Sequence, residues 1–205
     1  MTWARRFATP AGVVVVVGAL LPPLHSLADQ LFSAHMVQHL LIMVVGAGLL
    51  AWGSTKTSSA GVRSALYIAA LNIVVLWGWH LPRLYDAALA SVPLHALEHA
   101  SFFVAGWLFW RLVLGRSGVE HPARLGVTLV TMLQSGALGA LITLADRVLY
   151  RSHQGSPTMT ALEDQQLAGV IMWVPAGTLY LVVLLVLLAQ MLRPYPDPAG
   201  TAETQ

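Results

Sequence analysis

The sequence predicts an all-α protein, a polytopic membrane helix bundle with about six transmembrane helices, and three observations carry that expectation. Hydrophobic residues make up 57% of the 205 and charged residues only 10%, with a mean hydropathy of +0.69, too apolar for an ordinary soluble domain. Apolar runs recur at lengths near the roughly 20 residues that a helix needs to cross a bilayer. Short polar stretches separate them, and basic residues gather at alternate ends.

The chain opens with Arg5 and Arg6 ahead of an apolar run from Ala8 to Leu24, read as a retained first helix that leaves the membrane at Pro22-Pro23, His25 and Asp29. The alternative is the hydrophobic part of a signal peptide, since Ser26-Leu27-Ala28 supplies small residues at cleavable positions. The second span covers about Gln30 to Trp52. A Ser/Thr/Gly linker, Gly53 to Gly61 with Lys56, leads to the third, Val62 to Trp79, which exits at His80-Leu81-Pro82. Pro93 suits the first turn of the fourth span, Leu94 to Leu114, because a helix start needs no hydrogen bond from that nitrogen. The fifth, Ala123 to Ala145, carries Gly126, Ser135, Gly136 and Gly139, small enough for helices to approach closely. After the longest loop, Asp146 to Glu163, the sixth runs from Asp164 to Leu192 with an interruption expected at Pro175 and Gly177. Residues 1–193 thus read as one transmembrane domain, and 194–205, with Pro194, Pro196 and Pro198, as a disordered cytoplasmic tail.

Orientation follows from the 11 Lys and Arg residues. With the amino terminus inside, the inner ends hold Arg5, Arg6, Lys56, Arg63, Arg111, Arg116, Arg124 and Arg193, and the outer ends Arg83, Arg147 and Arg151. That bias predicts both termini in the cytoplasm. The formal charge of +2 is too small to indicate a nucleic-acid partner, so the bilayer is the expected environment.

Polar chemistry concentrates at the outer ends. His35 and His39 lie four residues apart on one helical face, about 8 and 13 Å into the second span, and His95 and His99 repeat that spacing at the start of the fourth. His25, His80 and His153 fall at or just beyond outer helix ends, and Glu98 and Asp164 join the same level. An ionisable group inside a membrane costs on the order of 3 kcal/mol and is therefore paired, liganded or hydrated. A single intramembrane histidine is commonly an interhelical hydrogen bond. Two matching pairs point instead to a metal held by His35, His39, His95 and His99, with His80 as a further ligand. Glu98, Asp164 and His25 are candidates for hydrogen-bonding the ring nitrogens turned away from the metal. Glu98 and Asp164 have the alternative of capping helices. His153, beside Gln154, Gly155 and Ser156, reads as solvated, as does His121, while Met36, Met43, Met132 and Met172 read as core filler. The absence of cysteine excludes thiolate ligands and disulfides, so a soft-metal site must draw on histidine and methionine.

The ordered set Phe32-Ser33-Ala34-His35-Met36-Val37-Gln38-His39, Trp79-His80-Leu81-Pro82 with Tyr85-Asp86, Leu94-His95-Ala96-Leu97-Glu98-His99, and Asp164-Gln165-Gln166-Leu167-Ala168-Gly169 with Met172-Trp173 resembles the bacterial CtaG-type cytochrome c oxidase assembly proteins associated with caa3-type oxidases. The resemblance runs from about His25 to Tyr180. It implies a multi-span protein of the bacterial plasma membrane that handles copper for haem–copper oxidase assembly, with an oxidase subunit as partner and without enzymatic activity of its own. Imidazole suits copper, and methionine biases a site towards Cu(I). Two other readings use the same histidines: a membrane cytochrome with haem b held by one histidine from each span, and a histidine-box oxidoreductase with a dinuclear metal centre.

Overall fold

The computed structural model describes residues 3–54, 62–115 and 121–192. Eight helices follow in order: α1 Trp3–Ala19, α2 Leu24–Ala28, α3 Phe32–Gly53, α4 Val62–Trp79, α5 Pro82–Leu89, α6 Val92–Leu114, α7 His121–Thr143 and α8 Ala161–Met191. A minimal antiparallel hairpin, β1 Gly155–Ser156 with β2 Met159–Thr160, pairs Gly155 with Thr160 and Ser156 with Met159. Residues 55–61 of the expected linker, with Lys56, and Arg116, Arg193 and the tail, lie outside the described residues, while Gly53 ends α3.

The fold is therefore the all-α membrane bundle that the composition demanded. Of the six expected spans, α3, α4, α7 and α8 are long and apolar enough to cross a membrane. The other two differ for identifiable reasons: α1 has 17 residues, and α6 carries His95, Glu98, His99 and Arg111 within its length. Pro175 does not interrupt α8, which runs unbroken for 31 residues. Membrane helices accommodate proline where neighbouring groups satisfy the backbone.

Helix α3 is the hub, packing on α1, α2, α6 and α8, while α7 lies along α8 and α4 bridges α6 and α7. In its most apolar stretch 56% of residues are buried, against 28% for α4 and 22% for α8, whose outward Leu66, Val74 and Leu185 present the apolar surface that lipid requires. Close approach depends on glycine at a few places. A Cβ on Gly46 would meet Val16 of α1, one on Gly139 would meet Trp173 of α8, and one on Gly106 would meet the Met43 carbonyl of α3. Gly126 and Gly136, by contrast, face open space and contribute nothing to this packing.

Two kinds of junction gather the helix ends. Gly53 of α3 lies against Thr9 of α1, and Arg124 of α7 donates to the Val113 carbonyl of α6, which brings Arg5, Arg6, Arg111 and Arg124 towards one end. At the other end Asp86 of α5 accepts from the backbone and the hydroxyl of Ser152, so the loop before α8 folds over α5.

Within α3 the backbone is α-helical through Leu40, π-helical over Leu41–Gly46 and α-helical again from Ala47. Single π turns inside α-helices are frequently found beside functional groups. This one starts two residues after His39, and its Met43 carbonyl accepts from Trp110 Nε1 of α6 at 3.2 Å. It thereby ties together the two helices that carry the paired histidines.

Candidate metal centre

Helical spacing alone brings the imidazoles of each pair together, with ring centroids 4.2 Å apart for His35 and His39 and 4.4 Å for His95 and His99. The packing of α3 on α6 then turns the pairs towards each other. His35 lies 5.4 Å from His95 and 6.0 Å from His99, and His39 lies 5.3 Å from His99, ring to ring.

Glu98 occupies the middle of this group. Its Oε1 is 3.8 Å from Nε2 of both His35 and His39, its Oε2 is 4.0 Å from Nε2 of His95, and the residue is 0% exposed. Neither oxygen has a hydrogen-bond partner, nor have the Nε2 atoms of His35, His39, His95 and His99. Buried polar atoms are almost always paired, so such a concentration of orphans on facing side chains marks a place shaped for something that supplies the missing interactions. His35, His95 and Glu98 each bring a ligand atom within 4.8 Å of one another, the spacing of a cation cage. The sequence had assigned Glu98 a supporting or capping role. It lies nearly two turns inside α6, too far from the end to cap it, and at the centre of the imidazoles.

An aromatic layer closes the group from above. Phe32 packs on Tyr150 at 4.5 Å, on Tyr85 at 5.1 Å and on His153 at 5.6 Å, and the Tyr85 ring lies 5.4 Å from His35. His153 is thus buried, contrary to its solvated reading, and its Nε2 lies 2.7 Å from the Tyr85 hydroxyl. Burial lowers the affinity of the His153 imidazole for a proton and keeps the Tyr85 phenol protonated, so the contact joins two neutral groups. Nothing in the polar local sequence of His153 signals this contact, which depends on a residue 68 positions away.

The other predicted residues divide. His25 stacks on His95 at 6.0 Å and contacts Gln38 rather than a ring nitrogen of the paired histidines: the Gln38 amide nitrogen lies 2.8 Å from the Ala19 carbonyl and 3.3 Å from His25 Nδ1. A cleft of about 730 Å3, lined by His25, Asp29, Leu89, His95, His99 and Phe103, leads from this region to the second pair. The His80 ring approaches Phe102 to 6.1 Å, and the His39 ring approaches it to 4.5 Å.

Asp164 takes the alternative task of a cap, on a helix other than its own. Its two oxygens accept from the backbone nitrogens of Phe32 at 2.7 Å and Ser33 at 3.0 Å, capping α3 across the bundle. A free helix start leaves several N–H groups without partners, and a carboxylate there satisfies them and complements the dipole. Gln165 and Gln166 likewise hold the loop before α8, through Leu149, Arg147 and Ala145, instead of joining a network with the histidines. Asp164→Asn retains one acceptor oxygen and loses the charge, so it is expected to lower unfolding stability by about 1–2 kcal/mol, the scale of a lost cap. Metal stoichiometry should stay at the parental value. A variant of parental thermal stability that sheds metal would return Asp164 to imidazole orientation.

Fold and centre together define a polytopic membrane protein with a buried histidine–carboxylate group between two of its helices. The chain belongs to the cytochrome c oxidase caa3 assembly factor family (Caa3_CtaG), whose pattern matches residues 1–194. No curated protein and no solved structure matches it.

Proposed function

We propose that this assembly factor binds copper at His35, His39, His95, His99 and Glu98, near the outer face of the bacterial plasma membrane, and passes it to a cytochrome c oxidase subunit. The observation that carries this reading is the carboxylate of Glu98, buried and unpartnered within 4.0 Å of three imidazole nitrogens that also lack partners. Imidazole and carboxylate are a donor set for copper or zinc at neutral pH. Family membership supplies the client, because an oxidase assembly factor acts on an enzyme that must acquire copper.

The cleft beside His25 and Asp29 is the proposed entrance: it reaches His95 and His99 from the end of the bundle that bears Arg83, Arg147 and Arg151. The aromatic layer over His35 limits water, which strengthens electrostatic binding while the metal resides. A donor cage with one open side suits ligand exchange with a partner better than a closed structural site does. The haem reading draws less support, because the Glu98 carboxylate lies within 4.0 Å of Nε2 on His35, His39 and His95, where a macrocycle ligated by them would have to sit.

Elemental analysis and an absorption spectrum of protein purified without a histidine tag test the proposal. The expected result is stoichiometric copper, no Soret band, and parallel loss of copper and of oxidase maturation in His39→Ala and His99→Ala. A Soret band would establish the haem reading, and parental copper content in both variants would remove these histidines from the site.

A further inference from the structure

Beside the centre lies a small chamber of about 40 Å3 whose wall includes His39, His80, Met36, Met43 and Met172. Its volume exceeds the roughly 10–15 Å3 that one water requires and is far below that of an organic ligand, so it suits a single ion or a few waters. His80 is set up in a specific way. Its Nδ1 lies 2.7 Å from the Leu76 carbonyl, which can only accept, so Nδ1 carries the proton and Nε2 holds the lone pair. That Nε2 is buried and has no partner, on a residue 5% exposed. A backbone carbonyl fixing one ring nitrogen so that the other is free is the usual arrangement of a metal-binding histidine. The three methionines come from two helices, α3 and α8, and all are buried at this one small space.

We propose that this chamber is a second metal site, for a soft monovalent cation of the Cu(I) type, held by the imidazoles of His39 and His80 and by thioethers among Met36, Met43 and Met172. Thioether sulfur and neutral imidazole select Cu(I) over the harder divalent ions, which the carboxylate of Glu98 favours. His39 belongs to both sites: it lines the chamber and brings Nε2 to 3.8 Å from Glu98. The two sites therefore form a sequence from a harder, carboxylate-containing station to a softer one deeper in the bundle, joined through one shared imidazole. This inference takes the identity of its ion from the copper reading given above, but its geometry is separate. The competing account is a pocket of water that serves Thr131 Oγ1 and Gln134 Nε2, which also lack partners on the same wall.

The test uses the full chain in detergent without a histidine tag, titrated anaerobically with Cu(I) against a chromogenic Cu(I) chelator and separately with Zn(II), with X-ray absorption at the metal edges. In the parent, the Cu(I) shell should contain sulfur. Combining Met36→Leu, Met43→Leu and Met172→Leu, swaps that nearly conserve volume, should remove the sulfur and weaken Cu(I) binding about tenfold or more while Zn(II) binding is unchanged. Glu98→Leu should do the reverse, losing Zn(II) and keeping sulfur-ligated Cu(I). A parental Cu(I) shell of nitrogen and oxygen alone overturns the second site and leaves water as the occupant, a result that requires no variant to fold. Sulfur-ligated Cu(I) with no Zn(II) binding in the parent would instead count against the Glu98 centre and leave the chamber standing.

Discussion

Glu98→Leu is expected to abolish metal retention at the paired histidines and, at the same time, to make the metal-free protein more stable. The two effects have opposite signs because the carboxylate is buried, lies 3.8–4.0 Å from three imidazole nitrogens and has no hydrogen bond. A buried polar group without a partner costs about 1–3 kcal/mol, and replacing it with an apolar side chain of similar volume removes that cost. With metal the order reverses. At a free metal concentration about 100 times the dissociation constant, the parent gains about 2.7 kcal/mol from binding, a gain the variant cannot have. Thermal unfolding with and without metal reads both effects in one experiment. Loss of metal without any rise in metal-free stability would mean that Glu98 already has a partner in the empty protein, and parental metal affinity would take Glu98 out of the cage.

What could be read in the sequence was what helical geometry and composition determine locally. The third span was expected over Val62 to Trp79 and is helical over those residues, and Pro93 sits in the first turn of α6 as its missing N–H suggests. The approach of His35 to His39, and of His95 to His99, needs only a period of 3.6 residues. What could not be read depends on contacts between distant residues. Asp164 caps a helix that begins 132 positions earlier, and no spacing rule connects them. Glu98 was visible as a neighbour of the histidines, yet its central place follows from the packing of α6 on α3. The π turn at Leu41–Gly46 has only apolar residues and a glycine to announce it, and depth along a helix does not say that His80 turns its Nδ1 to the Leu76 carbonyl.

The helix crossing that sets this geometry yields the second large effect. Gly106 of α6 faces the backbone of Met43, four residues beyond His39 on α3, and a Cβ there would collide with the Met43 carbonyl oxygen as well as approach its side chain. Backbone cannot rotate aside as a side chain can, so Gly106→Ala must push α3 and α6 apart or break the bond from Trp110 Nε1 to that carbonyl. Overpacking of this kind costs about 1–3 kcal/mol. The displacement is carried along both helices to the imidazoles, where ligand atoms must stay within a few tenths of an ångström of their positions for tight binding. The expected result is a less stable protein with at least about tenfold weaker metal binding, although no ligand has changed. Gly136→Ala is the control, since a methyl group there meets nothing within 4 Å and alanine is the better helix former. Its stability and metal content should equal or exceed those of the parent. Equal metal affinity in Gly106→Ala and the parent would show that the paired histidines tolerate a shift of α6, and that their spacing does not depend on this crossing.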